Sequence, residues 1–299
     1  MSVHTITMSP QQISALEKEL GAVKERLAGV EKSLAGAKET PPYARYQYRL
    51  SDCVITAYES GKVVFQGEGA DLYAAPFAQA RPKAAAGFPQ AGSDEVGTGD
   101  YFGPVVVCAA LVTAEDLPLL QQLGVTDSKL LSDDAIRACA PKLTAALRYS
   151  VLILDDDTYN RVHEHDNMVA IKCKLHNQAY VHLQRKAGGL PGSIIIDQFV
   201  QEKSYYRYLR DQPQIIRGIH FETKAESRYP AVAAASVIAR YAFLKACDQM
   251  AQRYAFTFPK GAGAAVDQAI RQFVQAHGQE ALAHVAKLHF ANTAKALIE

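Results

Sequence analysis

Residues 92–112 read GSDEVGTGDYFGPVVVCAALV, and the other predicted elements of the sheet are placed around them. Two neighbouring acids, Asp94 and Glu95, and three glycines stand directly before an uninterrupted apolar run. The run from Val105 to Val112 is too short and too rich in valine for a membrane span, so it predicts a buried strand. The glycines allow a sharp turn before that strand. We therefore expect a hairpin of two strands with the acids at the edge of a core.

The glycines around Thr98 also suit ligand binding. Gly97 and Gly99 lack a Cβ atom, so backbone N–H groups can come close to a phosphate or a sugar. The alternative is a solvated hairpin, which is the more common role of two acids before a glycine-rich turn. Neighbouring side chains of a strand point to opposite faces, so Asp94 and Glu95 share one site only if the chain bends there. The glycines permit that bend.

Composition excludes several classes of protein. The chain has 299 residues, 48% of them apolar, and 32 basic against 31 acidic residues, so the near-zero charge indicates no nucleic-acid partner by itself. Its 5 cysteines are scattered without a CxxC pair, which argues against a disulfide framework and against a zinc site. We find no signal-peptide pattern and no apolar run of spanning length. The sequence therefore predicts a soluble, cytoplasmic protein that does not bind membranes.

The chain changes character once along its length. The first part predicts a strand over Val3–Thr7, a helix over Gln11–Lys38 and then strands from Tyr43 to Phe65. Residues 80–91 have the proline, glycine and alanine content of a linker. The predicted domains are residues 1–85, including this linker, and residues 86–299.

Cations and tyrosines alternate in the first predicted domain. Cations interleaved with aromatic rings on a sheet suit phosphate contact and base stacking. A half-buried sheet with a wet outer face is an equally good interpretation. The residues concerned are Tyr43, Arg45, Tyr46, Tyr48, Arg49, Tyr58 and Lys62.

The second part alternates strands with helices. A strand over Ala145–Leu154 leads into three acids, Asp155 to Asp157, that we expect to be solvated. The apolar run Ser193–Asp197 predicts a strand covered on both faces, as in the parallel part of an α/β sheet. We place His163 and His165 on a wet loop and assign no histidine to catalysis. Further helices are predicted over 166–186, 203–211, 266–274 and 279–288, and a further strand over 214–221.

Two more acids are placed by these elements. Asp197 ends a central strand, where open α/β sheets bind their ligands. A helix beginning near Pro230 has alanines that give it a narrow face for packing on the sheet. Glu226 lies just before this helix and is expected to project toward the strand ends. The alternative is that Glu226 only complements the helix dipole.

Four carboxylates are thus proposed to converge, those of Asp94, Glu95, Asp197 and Glu226. Their mutual repulsion in a partly dry site raises pKa values unless divalent cations occupy it, and oxygen ligands select Mg²⁺ or Mn²⁺ over zinc. Two such ions can activate a water and stabilise the leaving oxygen of a phosphoryl displacement. The set indicates phosphodiester hydrolysis.

The motifs taken together resemble bacterial ribonuclease HIII. After residues 92–112 come TDSKLL, IIIDQF and TKAESRYPAVAAASVIARYAFL in that order, so the resemblance extends to residue 244. It implies an α/β fold, a ribonuclease H-like mixed sheet with flanking helices, preceded by a small α+β domain that resembles half of a TATA-box-binding protein and holds the substrate. It also implies endonucleolytic cleavage of the RNA strand in RNA/DNA hybrids, leaving 3′-hydroxyl and 5′-phosphate ends, with two metal ions at the four carboxylates.

The resemblance implies roles for further residues. Backbone groups of Gly97, Thr98 and Gly99 would contact 2′-hydroxyls, the groups that distinguish RNA from DNA. Lys129 and Ser236 would hold phosphates, and Arg240, one helical turn from Ser236, is a further candidate for phosphate contact.

One segment departs from the related ribonuclease HII. That family has a GRG loop and an HKGYGT segment whose tyrosine stacks where RNA meets DNA. Here the loop is GTG, and Ala262 stands at the tyrosine position of residues 259–264. We therefore expect cleavage within runs of ribonucleotides and poor incision at a single one.

Three alternatives stay open at this point. They are a nucleic-acid-binding protein of the same fold without catalysis, junction-specific activity like that of ribonuclease HII, and a resolvase-like or transposase-like nuclease of the same fold. The retained carboxylates favour an enzyme over the first, and the third would not need the GTG loop beside the acids. We expect a monomer whose partner is the RNA/DNA hybrid.

Overall fold

The computed structural model describes residues 2–8, 10–26, 31–34, 40–78, 87–125 and 131–297. The chain divides into two compact units, Met1–Lys83 and Ala84–Glu299.

The strands of the first unit are β1 (Ser2–Thr7), β2 (Glu31–Leu34), β3 (Ala44–Arg49), β4 (Cys53–Tyr58) and β5 (Lys62–Gly67), and its helices are α1 (Pro10–Arg26) and α2 (Ala70–Ala78). The strands form an antiparallel sheet with the order β1-β5-β4-β3-β2. An apolar core lies between α1 and the sheet, because Ile13, Leu16 and Leu20, spaced three or four residues apart on the helix, are buried there.

The predicted helix over Gln11–Lys38 was too long. Helix α1 ends at Arg26, and β2 pairs antiparallel with β3, with Lys32 opposite Tyr48. Lys32 also forms a 2.9 Å ion pair with Glu17 of α1. The ladder and this tertiary contact outweigh a weak helix propensity in a short polar segment.

The tyrosines of β3 do not form a stacking surface. Tyr46 and Tyr48 are buried and pack edge to face at 5.6 Å, and Tyr46 donates a 3.0 Å hydrogen bond to the carbonyl of Ile13 in α1. Tyr43, by contrast, is 80% exposed. Stacking by Tyr46 and Tyr48 was therefore a wrong interpretation, because alternation along the strand turns these rings toward the helix.

The second unit is built on a five-stranded mixed sheet with the order β10-β9-β6-β7-β8. Strand β6 is parallel to β9, and β9 to β10, whereas β7 is antiparallel to both of its neighbours. This architecture confirms the predicted α/β class with a mixed sheet. The strands are β6 (Gln90–Val96), β7 (Val105–Val112), β8 (Arg148–Leu154), β9 (Ser193–Asp197) and β10 (Ile219–Glu222).

Helices cover both faces of this sheet. Helices α4 and α8 enclose one apolar core with β7, and α6 and α7 enclose a second with β6, β7 and β9. The helices are α3 (Leu117–Gln122), α4 (Asp133–Ala146), α5 (Asp156–His163), α6 (Met168–Ala187), α7 (Glu202–Tyr208), α8 (Pro230–Tyr254), α9 (Ala264–His277) and α10 (Ala291–Leu297).

Helix α8 lies very close to the sheet. A Cβ atom on Gly92 would stand 2.3 Å from the backbone nitrogen of Val232, so glycine and the alanines of α8 permit this approach. Within the described ranges, α8 is the one helix long and apolar enough to cross a membrane, although we predicted no apolar run of that length from the sequence. Its apolar window is 56% buried, as in a core helix.

Three other expectations were wrong, at least in part. Of the three acids after β8, Asp155 and Asp157 are exposed as expected, but Asp156 is buried, and Asp155 begins α5 by accepting a 2.7 Å hydrogen bond from the backbone N–H of Thr158. His163 lies in that helix, stacked on His289 at 4.1 Å, rather than on a wet loop. Residues 279–288 form a 3-10 turn and a β-bridge instead of an α-helix.

Candidate active site

Strand register brings the predicted acids together. The parallel pairing of β6 with β9 runs to Ser93 opposite Ile196, so the next residues, Asp94 and Asp197, stand side by side at the carboxyl ends of their strands. Asp197 also accepts a 2.9 Å hydrogen bond from the backbone N–H of Ala225. This bond fixes the turn before α8 in which Glu226 lies buried, 5% exposed. Three of the four predicted carboxylates thus belong to one sheet edge.

The charge environment of Asp94 shows how close these groups are. Burial raises the pKa of Asp94 well above its usual value, and the negative charges of Glu95 and Asp197 raise it further. Hydrogen bonds from the Ser236 side chain and from the Glu95 backbone, the latter 2.8 Å long, act in the opposite direction. The effect of Asp197 on the pKa of Asp94 agrees with the strand register, which places the two carboxylates on neighbouring strands.

Glu95 is held by both of its carboxylate oxygens. Lys172 lies 2.5 Å from Oε1, and Nε2 of His176 lies 2.9 Å from Oε2. Burial works to raise the pKa of Glu95, but the hydrogen bond and charge of His176 and the charge of Lys172 outweigh it and lower the pKa to about 2. Glu95 is therefore a fixed, ionised carboxylate.

A second layer of contacts supports Lys172 and His176. Nδ1 of the fully buried His176 is 2.8 Å from the hydroxyl of Ser93, and the Phe199 ring stacks on the imidazole at 5.1 Å. Lys172 lies 4.0 Å from the centre of the same ring. The sequence reading missed both residues, although a lysine and a histidine one turn apart on a helix that covers the sheet were a usable signal.

A fifth carboxylate, Glu222, was also missed. It ends β10 and pairs in register with Asp197. Arg228 forms an ion pair with it, Tyr229 donates a 3.1 Å hydrogen bond to it, and a ring nitrogen of His220 lies 3.0 Å away. These partners occupy Glu222 at the rim of the acidic edge.

The glycine loop, residues 97–104, follows β6 directly and leads into β7. Gly97 has a φ of 88°, and a Cβ atom there would stand 2.1 Å from the carbonyl oxygen of Pro104, so only glycine fits. Gly99 is exposed, and a Cβ atom on it would meet nothing within 4 Å. Gly261 holds the loop by donating a 2.6 Å hydrogen bond to Asp100. The segment around Ala262 therefore lies against the glycine loop.

Two of the three residues predicted to contact phosphates have described partners within the protein. Ser236 hydrogen-bonds Asp94, and Arg240 bonds Asp133 at 2.6 and 3.1 Å and the carbonyl of Leu131 at 2.9 Å. Lys129 lies outside the described residues. Phosphate binding by these three residues stays a prediction.

The donor set suits a hard divalent cation, because all four predicted ligands are carboxylates and their mutual repulsion favours a positive charge among them. In the described part of the chain, no group of three or more histidine, cysteine, aspartate or glutamate side chains is already arranged around a metal position. The residues therefore fit the metal by the chemistry of their oxygen donors.

Comparison with known proteins finds relatives of both units. A family model described as ribonuclease HII matches residues 91–293, and a model described as a domain of unknown function (DUF3378) matches residues 6–87. Ribonuclease HIII of Bacillus pumilus is 42% identical over 275 residues, which cover 86% of this chain and 90% of that protein. Ribonuclease HIII of a Geobacillus species is 43% identical over 267 residues, 86% of this chain and 89% of that protein.

A solved structure extends the likeness to both units. The crystal structure of Bst-RNase HIII in complex with Mn²⁺ matches with a TM-score of 0.70 and 40% identity, and the match covers 99% of this chain and 98% of that chain. The chain therefore belongs to the ribonuclease HII family, among its ribonuclease HIII members.

Proposed function

We propose that this protein is an endoribonuclease that cleaves the RNA strand of RNA/DNA hybrids by metal-dependent hydrolysis, leaving 3′-hydroxyl and 5′-phosphate ends. The observation that carries the proposal is the placement of Asp94, Asp197 and Glu226 at one sheet edge, directly before the glycine loop. Membership of a ribonuclease family supplies the reaction class.

The cofactor is proposed to be Mg²⁺ or Mn²⁺, with two ions in the site. Asp94, Asp197 and Glu226 would hold them, together with Glu95, and the Mn²⁺ complex of the related Bst enzyme supports a divalent ion. When bound, such ions activate a water molecule and stabilise the leaving oxygen.

The protein's own residues would prepare the site. Lys172 and His176 fix Glu95, and the hydroxyl of Ser236 orients Asp94. Gly97, Thr98 and Gly99 would contact 2′-hydroxyls through the backbone, since the exposed face at Gly99 leaves room for a sugar. Lys129, Ser236 and Arg240 remain the proposed phosphate contacts.

We further propose that the first unit binds the hybrid, and that the protein acts as a cytoplasmic monomer. The exposed side chains of Arg45, Arg49 and Lys62 support the first point, because exposed cations favour phosphate contact. A binding protein without catalysis is the competing function, and the intact carboxylate set weighs against it.

The test is cleavage of an end-labelled RNA/DNA hybrid with and without Mg²⁺ or Mn²⁺, using Asp94→Asn and Asp197→Asn. We expect each variant to lower the cleavage rate by roughly 10⁴-fold, as for loss of an essential catalytic group, with hybrid affinity largely unchanged. Asp211→Asn, the same change at a side chain 78% exposed, is the matched control.

Two outcomes would contradict the proposal. Turnover near the unmodified rate in either variant would remove that residue from the catalytic set. Tight binding by the unmodified protein without any metal-dependent cutting would favour the binding protein.

A further inference from the structure

A fully buried lysine lies behind the glycine loop. Lys287 follows the 3-10 turn Glu280–His284, and its side chain has no solvent exposure. A buried ammonium group is costly unless its donors are satisfied. The proposed reaction assigns it no role, so its partners must explain its position.

Those partners belong to the loop. The ammonium nitrogen donates a 2.9 Å hydrogen bond to the carbonyl of Asp100 and a second hydrogen bond to the carbonyl of Gly103. The nearest carboxyl oxygen of Asp156 lies 4.0 Å away, beyond hydrogen-bond distance, and burial raises the pKa of Asp156 to about 7, so near neutral pH this group supplies only part of an opposite charge. An ammonium has three donors and no acceptor, and the two carbonyls satisfy two of those donors.

Backbone contacts join the same two segments. Gly103 donates a 3.0 Å hydrogen bond to the carbonyl of Val285, and Lys287 donates one of 2.9 Å to the carbonyl of Tyr101. Phe102 and Ala286 form a β-bridge between them. The C-terminal half of the loop is thus bound along its whole length.

Helix α5 fixes the segment that carries Lys287. The side-chain amide of Asn160 donates to the carbonyls of Ala283 and Ala286 at 3.1 and 2.9 Å, and its oxygen accepts from the backbone N–H of Leu288 at 3.1 Å. The lysine therefore stands on an anchored support, while the loop at Gly99 is open.

We propose that Lys287 is a positioning residue that fixes the glycine loop for contact with the 2′-hydroxyls of the RNA strand. The inference rests on the proposed function, because it names the ligand of the loop as the hybrid. Recognition through backbone atoms depends on where the backbone lies, to within about half an ångström. A residue that holds two carbonyls of the loop determines that position.

The test compares the affinity for an RNA/DNA hybrid with that for a DNA duplex of the same sequence, by fluorescence anisotropy in EDTA. Lys287→Met removes the ammonium and keeps an unbranched apolar side chain. We expect its preference for the hybrid to fall about tenfold, on the scale of a missing charge-assisted hydrogen bond. In cleavage assays KM should rise, with kcat reduced much less.

Two further variants complete the design. Lys295→Met makes the same change at an exposed position of α10 and should leave the preference unchanged. Asn160→Ala removes hydrogen bonds that hold the segment of Lys287, and it should also lower the preference for the hybrid over the DNA duplex. This variant replaces Lys287→Met in the test if Lys287→Met does not fold. A folded Lys287→Met, or in its absence a folded Asn160→Ala, with the unmodified preference would overturn the inference.

Different results would contradict the proposed function and the proposed role of Lys287. If the unmodified protein neither prefers nor cleaves the hybrid, the proposed function is wrong. If it does both and the variants do so equally, only the role of Lys287 is wrong.

Discussion

Two side chains hold the carboxylate of Glu95, and the lone pairs that they leave determine whether it can also bind a metal ion. Each carboxylate oxygen has a second lone pair, so Oε1 and Oε2 can accept another ligand while Lys172 and His176 stay in place. Partners of this kind orient a ligating carboxylate. Glu95 has a lowered pKa while that of its neighbour Asp94 is raised, so the two acids differ in proton affinity although they are adjacent.

We predict that Lys172→Met lowers the free energy of unfolding by about 3 kcal/mol at pH 7, because it leaves a buried carboxylate without its cation. The lowered pKa of Glu95 stabilises the fold fully above its ordinary value of 4.5, and this contribution is lost as the pH falls through about 2. The difference between the two proteins should therefore shrink below pH 4.5.

Urea denaturation at several pH values measures this difference. Lys174→Met is the matched control, because its partner Asp166 lies on a more exposed part of the same region, and it should cost less than about 1 kcal/mol. Equal losses of unfolding free energy in the two variants would show that the Lys172–Glu95 pair stabilises the fold no more than the Lys174–Asp166 pair does.

Single residues of the site were predictable to different degrees. Asp197 was placed from the sequence because a buried parallel strand has a defined carboxyl end. Lys172 and His176 were not, because the helix was recognised without knowing which of its faces covers β6. Ser236 was assigned to phosphate, and its hydrogen bond to Asp94 depends on the rotation of α8 against the sheet.

At the scale of elements, the contact between β6 and α8 holds the site together. Asp94 follows Gly92 by two residues on β6, and α8 carries Ser236 and begins just after Glu226. A change in the spacing of this strand and helix therefore moves the predicted metal ligands relative to each other.

We predict that Gly92→Ala destabilises the protein by about 1–3 kcal/mol or more and lowers activity, because the added methyl would stand 2.3 Å from the backbone of Val232. Gly99→Ala should leave the stability within about 0.5 kcal/mol, since nothing lies within 4 Å, but weaken hybrid binding. Thermal unfolding and binding are measured for both variants. A stable, active Gly92→Ala would contradict the close approach.

The segment at Ala262 is predicted to influence which ribonucleotide-containing duplexes are cleaved. It lies against the glycine loop through Gly261, whose carbonyl accepts a 2.9 Å hydrogen bond from Tyr101. A methyl group there offers no aromatic surface, and stacking on an aromatic ring contributes about 1–3 kcal/mol.

We therefore predict efficient cleavage within runs of several ribonucleotides and incision at least about tenfold slower at a single embedded ribonucleotide. Two duplexes that differ only in this number are compared side by side. Ala262→Tyr should raise the rate on the single ribonucleotide, whereas Ala264→Tyr, two residues away, serves as a positional control. Comparable rates on both duplexes for the unmodified protein would mean that other residues recognise the junction.

A strand with a continuous apolar run was predicted well from the sequence, whereas short polar elements were not. The pattern of β9 was matched in full, because a continuous apolar run leaves a single interpretation. Strand β2 depends on its pairing with β3, and residues 279–288 depend on the bridge between Ala286 and Phe102. A local pattern holds no information about such partners.

At the scale of the whole molecule, the two units differ in the chemistry they offer. The second unit has the acidic sheet edge, and a cluster of carboxylates repels a polyanion. The first unit offers exposed Arg45, Arg49 and Lys62, while Tyr46 and Tyr48 are buried in its core. Affinity from the first unit should therefore come from phosphate binding more than from stacking.

Deleting residues 1–85 should weaken hybrid binding strongly and leave metal-dependent cleavage detectable at high enzyme concentration, since the second unit has its own sheet and cores. For every phosphate that the shortened protein no longer neutralises, the slope of log affinity against log salt should fall by about 0.9. Binding is measured from 50 to 200 mM salt, roughly the range over which such ionic interactions are screened.

The full chain with Arg45→Ala, Arg49→Ala and Lys62→Ala should reproduce part of the loss of affinity and part of the change in slope, and circular dichroism controls for folding. Equal affinity and slope with and without the first unit would leave it no role in holding the substrate.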